Sequence, residues 1–357
     1  MCNEARMAGV PPRRVHLVVS IDRLLARLLD ATPAGSWVVK GGYANQLRRP
    51  AQARFTEDLD LVIGAEVDRA PTLLAAAFAC DLGDGFAFES TAVGRPLGGP
   101  PGGGLRFAVL ARLGGSSLDQ FKVDVSGADV PVAEVEECVS DPVVDRLGFP
   151  RSRIPVLPVS FQVAEKIHAL TLPRGKENSR ARDLVDLVWF VERFAFRSDT
   201  LIESGRATFE RRATHSWPPA IPLMPASWTR PYDRWRGELT LGPVTPRAAR
   251  ELLIEFFRPV FEDRARLAWD PGTQKWSTPG GPAGSRRLGR RLPQQTLDDE
   301  DVAPGAVEPG VAAVEADLAV AAGPRDVDAD RASPGRVPLR YGPSSAAGTT
   351  AMPSSRR

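Results

Sequence analysis

The sequence predicts an α+β protein in which a sheet half is followed by a helical half and then by a tail. Up to about residue 155, short apolar runs with strand-like alternation are separated by Gly-rich turns. From Ser160 onward, apolar residues recur at helical spacing. Beyond Trp276 the chain turns to Gly, Pro, Ala, Arg and Asp with almost no aromatic residue, which cannot bury enough apolar surface to offset the entropy of ordering it. These shifts set the expected boundaries at 1–155 for the sheet domain, 156–277 for the helical subdomain and 278–357 for a disordered tail.

The bulk composition excludes several classes. With 357 residues, 43% hydrophobic and 25% charged, the chain is an ordinary globular composition that can bury a core. A net charge of +2 provides no global basic field, so any nucleic-acid contact must rest on a local patch. Cys2, Cys80 and Cys138 are far apart and form no CxxC pair, which argues against a disulfide framework or a zinc site and fits a reducing cytoplasm. Asp22 and Arg23 interrupt the apolar run after Arg13-Arg14 too early for a signal peptide. No segment approaches the roughly 18 apolar residues of a membrane span, so a soluble, cytoplasmic protein is expected.

In chain order, Leu17–Leu29 reads as an amphipathic helix with Arg23 and Arg27 on the face away from the apolar stripe. Trp37-Val-Val is a short buried strand ended by Gly41-Gly42, and a helix over Tyr43–Arg48 leads by a polar loop to the strand Asp58–Ile63. A helix is expected over Pro71–Cys80 and a mobile surface loop over Gly94–Gly104. Leu105–Ala111 and Leu118–Val125 form a hairpin about Gly114-Gly115. In the second half Ser160 is placed to cap Phe161–Leu170, and Asn178 or Ser179 to cap a helix reaching about Phe194. An amphipathic helix spans Thr245–Leu267 and turns Leu252, Leu253, Phe256, Phe257, Val260 and Phe261 inward. No strand signal of comparable strength is visible in this half, and no internal repeat.

The chemistry concentrates in three places. Lys40-Gly-Gly is followed about sixteen residues later by Asp58-Leu-Asp60. Alternation along a strand sends Asp58 and Asp60 to one face and Leu59 and Leu61 to the other. Paired carboxylates need a cation, and an all-oxygen set with open positions suits Mg²⁺, or Mn²⁺, bridging to substrate phosphates. Gly41 and Gly42 at a strand-to-helix turn let the backbone and the helix N–H groups approach a triphosphate. For a lone DxD the better reading is a solvated acidic edge strand; the two features in this order favour a site. In Phe121–Ser126, alternation buries Phe121, Val123 and Val125 and leaves Lys122, Asp124 and Ser126 opposite, so a neighbouring strand can set Asp124 beside the first pair as a third acid for a two-metal clamp. An ordinary hairpin strand explains Asp124 equally well. The third place is Glu165-Lys166-Ile-His-Ala-Leu and Arg182-Asp183-Leu-Val-Asp186-Leu. There the stripe Leu184, Leu187, Val188 and Val191 puts Asp183 and Asp186 on the opposite side, and Lys166 can reach a phosphate. Taken alone, these are a solvated lysine and a surface pair, Arg182 with Asp186. His168 has no metal-ligand spacing to His16 or His215 and reads as a packing residue.

Taken together, Lys40-Gly-Gly, Arg54-Phe-Thr56-Glu-Asp58-Leu-Asp60-Leu, Val123-Asp124-Val-Ser, Glu165-Lys166-Ile-His-Ala-Leu and Arg182-Asp183-Leu-Val-Asp186-Leu resemble the AbiEii/AbiGii family of nucleotidyltransferase toxins. His215-Ser-Trp-Pro-Pro and Trp269-Asp-Pro…Lys275-Trp276 look like that family's C-terminal half, so the resemblance spans about residues 15–276. It implies a DNA polymerase β-like minimal nucleotidyltransferase fold with an added helical domain. It also implies a toxin paired with an antitoxin and linked to phage defence or growth arrest, some members adding nucleotides to tRNA 3′ ends. Carried over by residue, Gly41 and Gly42 cradle the NTP, Asp58 and Asp60 bind the metals with Asp124 as third acid, Lys166 contacts phosphates and Asp183 is the helical acid. Arg54 and Thr56 lie on the approach to the metal strand, where Thr56 can touch nucleotide or itself be modified.

Two other acceptor classes, proteins and small molecules, fit the same residues. A phosphatase reading of Asp58-Leu-Asp60-Leu-Val62 is weakened by the polar Arg54-Phe-Thr-Glu57 ahead of it, where an apolar strand should lead to the nucleophile. An inactive NTP-binding module is disfavoured because Asp58, Asp60, Lys166 and Asp183 are all present.

Overall fold

The computed structural model describes residues 1–7, 9–90, 94–97, 103–127, 135–174 and 180–278. The predicted tail, except Thr278, lies outside them, as do Asn178 and Ser179. The first half contains α1 (Cys2–Met7), α2 (Pro12–Ala31), β1 (Trp37–Lys40), α3 (Gly41–Arg48), β2 (Asp58–Ile63), α4 (Ala70–Ala79), β3 (Phe86–Ser90), β4 (Arg95–Pro96), β5 (Gly104–Leu113), β6 (Ser116–Ser126), β7 (Glu136–Val139), α5 (Pro142–Arg146) and β8 (Arg153–Val156). The second half contains α6 (Val159–Thr171), α7 (Ala181–Arg193), β9 (Phe196–Arg197), α8 (Ser198–Arg212), α9 (Thr229–Leu239), α10 (Pro246–Phe261), β10 (Ala268–Asp270) and β11 (Lys275–Ser277). The protein is α+β, and among the described helices none is long and apolar enough to cross a membrane.

One mixed sheet runs in the order β3-β5-β6-β2-β1-β8-β7, with β4 also paired to β5. β2 runs parallel to β6 and antiparallel to β1. Alternation gives this sheet two unlike faces. Val39, Leu59, Leu61, Val123 and Val125 enter the main core with α2 and α4. On the other face Val38 and Val62 pack under Leu157 and Phe161 at the start of α6. That helix therefore covers one end of the second face and leaves the other end open. A second core gathers α7 to α10 around Trp189, Phe190, Phe256 and Phe257.

Several expectations change. Arg23 and Arg27 are not on a solvated face: they are 2% and 0% exposed. Arg27 forks onto Asp84 at 3.0 and 2.6 Å and donates to the carbonyls of Cys80 and Phe86 at 3.1 and 2.8 Å. Arg23 reaches the same carboxylate at 3.1 Å. The chain ahead of β3 covers this side of α2, and Asp84 is shared by both guanidinium groups while Asp22 lies 3.6 Å from Arg23. The segment expected as a loop over Gly94–Gly104 includes β4, which pairs with β5 through Arg95 and Pro96; residues 98–102 lie outside the described set. Ser160 does not cap α6. The helix starts two residues earlier than expected, at Val159 behind Pro158, whose fixed φ pre-sets the turn, and Ser160 is buried within it. Thr245 does cap α10, its hydroxyl accepting from the Ala248 N–H at 3.1 Å. The helix stops at Phe261 rather than Leu267, since Asp263 and Arg266 turn left-handed at φ 54° and 62°. The second half also holds a three-stranded sheet, β11-β10-β9. Its Trp269 and Trp276 indoles donate to the carbonyls of Val191 and Phe256 at 2.8 and 2.9 Å.

Arg27→Leu tests the buried pair. It leaves Asp84 with Arg23 alone, and breaking one side of such a pair costs about 3 kcal/mol. The expected result is a lower urea midpoint at unchanged denaturant slope.

Candidate active site

The open end of the second sheet face carries a row of charges. Register places Lys40 of β1 opposite Asp60 of β2, Asp60 opposite Asp124 of β6, and Asp124 opposite Arg106 of β5. Asp58, two residues before Asp60 on the same face, stands opposite Lys122, with the lysine amine 3.9 Å from its carboxylate. Burial pushes Asp60 up to about 6 against the pull of Lys40, and Asp124 and Asp58 add to the rise. The carboxylates repel one another here, the condition a bound cation relieves.

The strand-to-helix turn closes over this row. Gly41 has φ +65°, and a Cβ on it would fall inside the Asp60 carboxylate. Only glycine lets α3 begin this close to the acid. A Cβ on Gly42 would come within 2.9 Å of the Thr56 side chain. Both glycines are needed by packing, and Gly41 also lines the cleft.

From above, α6 supplies consecutive residues with opposite charge. The Glu165 Oε1 accepts from Lys40 Nζ at 3.0 Å and from Arg212 of α8 at 2.8 Å. Burial opposes ionisation of Glu165, but Lys40 and Arg212 hold its carboxyl below the usual range. Lys166 Nζ donates to Asp186 at 2.7 Å and to Asp183 at 3.2 Å. Burial lowers the Lys166 pKa, and the two acids more than reverse that. Asp186 is buried, and Arg54 forks onto it at 2.9 and 3.1 Å. Burial again opposes the charge, while Lys166 and Arg54 hold this carboxyl far below the ordinary range.

Together these elements enclose a cleft of about 610 Å³ whose walls include Lys40, Gly41, Asp60, Lys166, Asp183 and Arg212. The structure thus brings Gly41, Asp60, Lys166 and Asp183 together. Asp58 does not line the cleft: it lies two residues before Asp60 on the same strand, its side chain 35% exposed. Asp124 adjoins Asp60, but both its oxygens are taken by Arg106 at 2.7 and 2.6 Å. Thr56 and Arg54 do not line the cleft. The Thr56 N–H donates to Gln46 at 2.9 Å with its side chain packed on Gly42, and Arg54 faces Asp186.

Lys40 projects onto the face that the Gly-Gly turn presents, because antiparallel pairing sets it opposite Asp60. Two readings of side-chain direction are corrected. Asp186 is not on a solvated side. Arg182 does not pair with it; its guanidinium lies 4.7 Å from the Trp235 ring centre, since Asp186 is saturated from the inside. Sequence reasoning also missed Arg212 and Arg106, and the partner role of Glu165. His168 is a packing residue as read, with Nε2 2.8 Å from the Thr214 hydroxyl and burial lowering its pKa to about 4. Its ring is 4.7 Å from that of His215 despite their distance in sequence.

The donor set suits magnesium in part. Asp58 and Asp60 give oxygen donors on one face, and Mg²⁺ commonly takes one or two carboxylates plus substrate phosphates. Among the described residues, no three His, Cys, Asp or Glu side chains form a ready metal cluster.

The chain is a nucleotidyltransferase by the family model it matches. More narrowly, the chain belongs to the nucleotidyl transferase AbiEii toxin family of type IV toxin–antitoxin systems, whose family model matches residues 23–274. Comparison with curated proteins gives no match. Among solved structures, MenT4, a nucleotidyltransferase toxin from Mycobacterium tuberculosis, is similar at 21% identity and a TM-score of 0.43, over 73% of this chain and 96% of that one.

Gly41→Ala is expected to displace the Asp60 carboxylate and to cost at least about 1 kcal/mol through its left-handed φ. Thermal unfolding checks the stability loss, and a crystal structure of the variant checks the displacement.

Proposed function

We propose that this toxin transfers a nucleotidyl group from an NTP to RNA, with the 3′ end of tRNA as acceptor and Mg²⁺ as cofactor. The observation that carries the reading is the cleft itself, in which Asp60 and the glycine turn face Lys166 and Asp183 across one cavity. In the reaction an acceptor hydroxyl attacks the α-phosphorus, the bond to the β-phosphate oxygen breaks and pyrophosphate leaves. Asp58 and Asp60 would hold the metal, which when bound neutralises phosphate charge and polarises the α-phosphoryl group. The start of α3 at Gly41 leaves backbone N–H groups open to phosphate oxygens. Lys166 and Lys40 supply positive charge to the triphosphate, each aimed by the acid it touches. Asp183 holds Lys166 in place from the cleft wall. On this reading the site lies between a sheet domain, 1–155, and a helical subdomain, 156–277. The protein acts in the cytoplasm, is restrained by a cognate antitoxin and arrests growth, with phage defence as the setting.

Incubation with each labelled NTP, Mg²⁺ and total cellular RNA tests the acceptor: label at tRNA 3′ ends supports it, and label on protein alone replaces it. Asp60→Asn should abolish transfer while leaving the protein at least as stable at pH 7. The wild-type carboxylate, raised to about 6, is ionised there at a cost to folding: stability from its raised pKa is complete below the unfolded value of about 3.9 and is lost as pH rises through 6. Undiminished transfer by the purified variant removes the assignment.

Lys166→Ala should weaken binding of a non-hydrolysable NTP roughly ten- to a hundredfold, in line with about 1.5–3 kcal/mol for a charge-assisted contact. Fluorescence titration measures it. Unchanged affinity returns Lys166 to a structural role.

A further inference from the structure

The third carboxylate of the sheet is in position but engaged. Asp124 is the register neighbour of Asp60 on one side and of Arg106 on the other. Arg106 Nε donates to Oδ1 at 2.7 Å and Nη2 to Oδ2 at 2.6 Å. A two-pronged pair of this kind is the tightest form of carboxylate recognition, and it faces both oxygens that a metal would use. The guanidinium nonetheless has somewhere to go, since its side chain is 39% exposed against 16% for Asp124. It can leave without unpacking the core. Its register neighbour on the outer side is Arg95 of β4, so the charges along the row run Lys40, Asp60, Asp124, Arg106, Arg95. Two acids side by side attract a cation, and two arginines side by side attract an anion. A metal-bound triphosphate presents both charges in one molecule.

We propose that Arg106 gates the metal site. Without nucleotide it holds Asp124, and the sheet offers only the weak two-carboxylate site of Asp58 and Asp60. When a metal-bound triphosphate enters, the partners exchange: Asp124 turns to the cation and Arg106 to a phosphate oxygen. No covalent bond changes in this step. The exchange couples metal affinity to nucleotide, so the empty enzyme holds little metal. The proposal rests on the nucleotidyltransferase reading above.

Mn²⁺ binding to the full chain, followed by electron paramagnetic resonance of the free ion, tests the gate without any turnover. In the absence of NTP, Arg106→Gln should bind Mn²⁺ on the order of tenfold more tightly than wild type, because it frees a full carboxylate. Asp124→Asn should change the nucleotide-free affinity of the wild type by less than about twofold and should erase the gain in the Arg106→Gln background. Lys122→Gln removes the same charge beside Asp58 without releasing Asp124, and should give a smaller gain that does not depend on Asp124. Arg106→Lys, which keeps charge but loses the fork, should fall between wild type and Arg106→Gln. Circular dichroism confirms that each variant is folded. The gate is overturned if Arg106→Gln binds Mn²⁺ no more tightly, if Asp124→Asn already weakens the wild type, or if Lys122→Gln matches Arg106→Gln. If no variant binds Mn²⁺ even with NTP present, the metal-dependent transferase reading falls, and the gate with it. Tighter nucleotide-dependent binding with no effect at Arg106 overturns the gate alone.

Discussion

Asp186 accepts from Arg54 Nε and Nη2 at 2.9 and 3.1 Å and from Lys166 Nζ at 2.7 Å. The three residues come from the chain leading into β2, from α6 and from α7, so one carboxylate fixes three segments against each other. Their side chains are 9%, 14% and 3% exposed for Arg54, Lys166 and Asp186, which removes most of the water that would otherwise screen them. Assembling such a cluster costs desolvation, and breaking one arm of it costs more, because a charge is left buried without its partner. The rest of the cleft is built on this clasp. It sets the height of α6 over the sheet, and with it where Lys166 and Glu165 stand relative to Asp60.

Three cations of the cleft, Lys40, Lys166 and Arg212, share a second property: each is already held by an acid. Lys40 and Arg212 converge on a single oxygen of Glu165, and Lys166 lies between Asp183 and Asp186. Without Glu165, the Lys40 and Arg212 charges would repel each other in a half-buried space, and the flexible side chains would swing to water. With it, their rotamers are fixed before any anion arrives, so less entropy is lost on binding. An incoming polyphosphate then meets positive charge whose direction is already set. Competition with Glu165 lowers the gross attraction, and preorganisation offsets it in part.

Period-two alternation made much of this site readable in advance. Asp58, Asp60 and Asp124 share one face because they lie at even spacing within two strands whose odd positions are apolar. The Gly41-Gly42 turn was readable as a strand-to-helix turn of close backbone approach, while its fit against the Asp60 carboxylate emerges only from the pairing of β1 with β2. What the sequence could not supply was pairing between distant segments. Nothing local states that β6 lies beside β2, or that α8 returns Arg212 to Glu165. Arg23 and Arg27 read as solvated because their acid, Asp84, is more than fifty residues away in the chain. Arg106 is the instructive case. A hairpin about Gly114-Gly115 pairs Leu113 with Ser116 and Arg112 with Ser117, and an irregularity between Ala111 and Arg112 then shifts the register by one residue. Continued without that bulge, Asp124 would stand opposite Leu105. The extra residue, Leu118 of β6, shifts the pairing of everything after it on that strand by one and brings Asp124 onto Arg106, and no turn rule applied to the sequence foresees it.

The same logic separates Asp183 from Asp186, which helical periodicity alone puts on the same side one turn apart. Asp186 is saturated by three donors and nearly sealed from water, so its charge is spent on holding Arg54 and Lys166. Asp183 is 14% exposed and lines the cleft; one oxygen holds Lys166, and the other, itself buried, lies 3.5 Å from Arg180. This division places Asp183 on the cleft wall and Asp186 inside, with Lys166 held between them. It follows from the geometry of α6 and α7, since two acids three residues apart on a helix lie on nearly the same side, and the tilt of the helix against Arg54 decides which of them is inside.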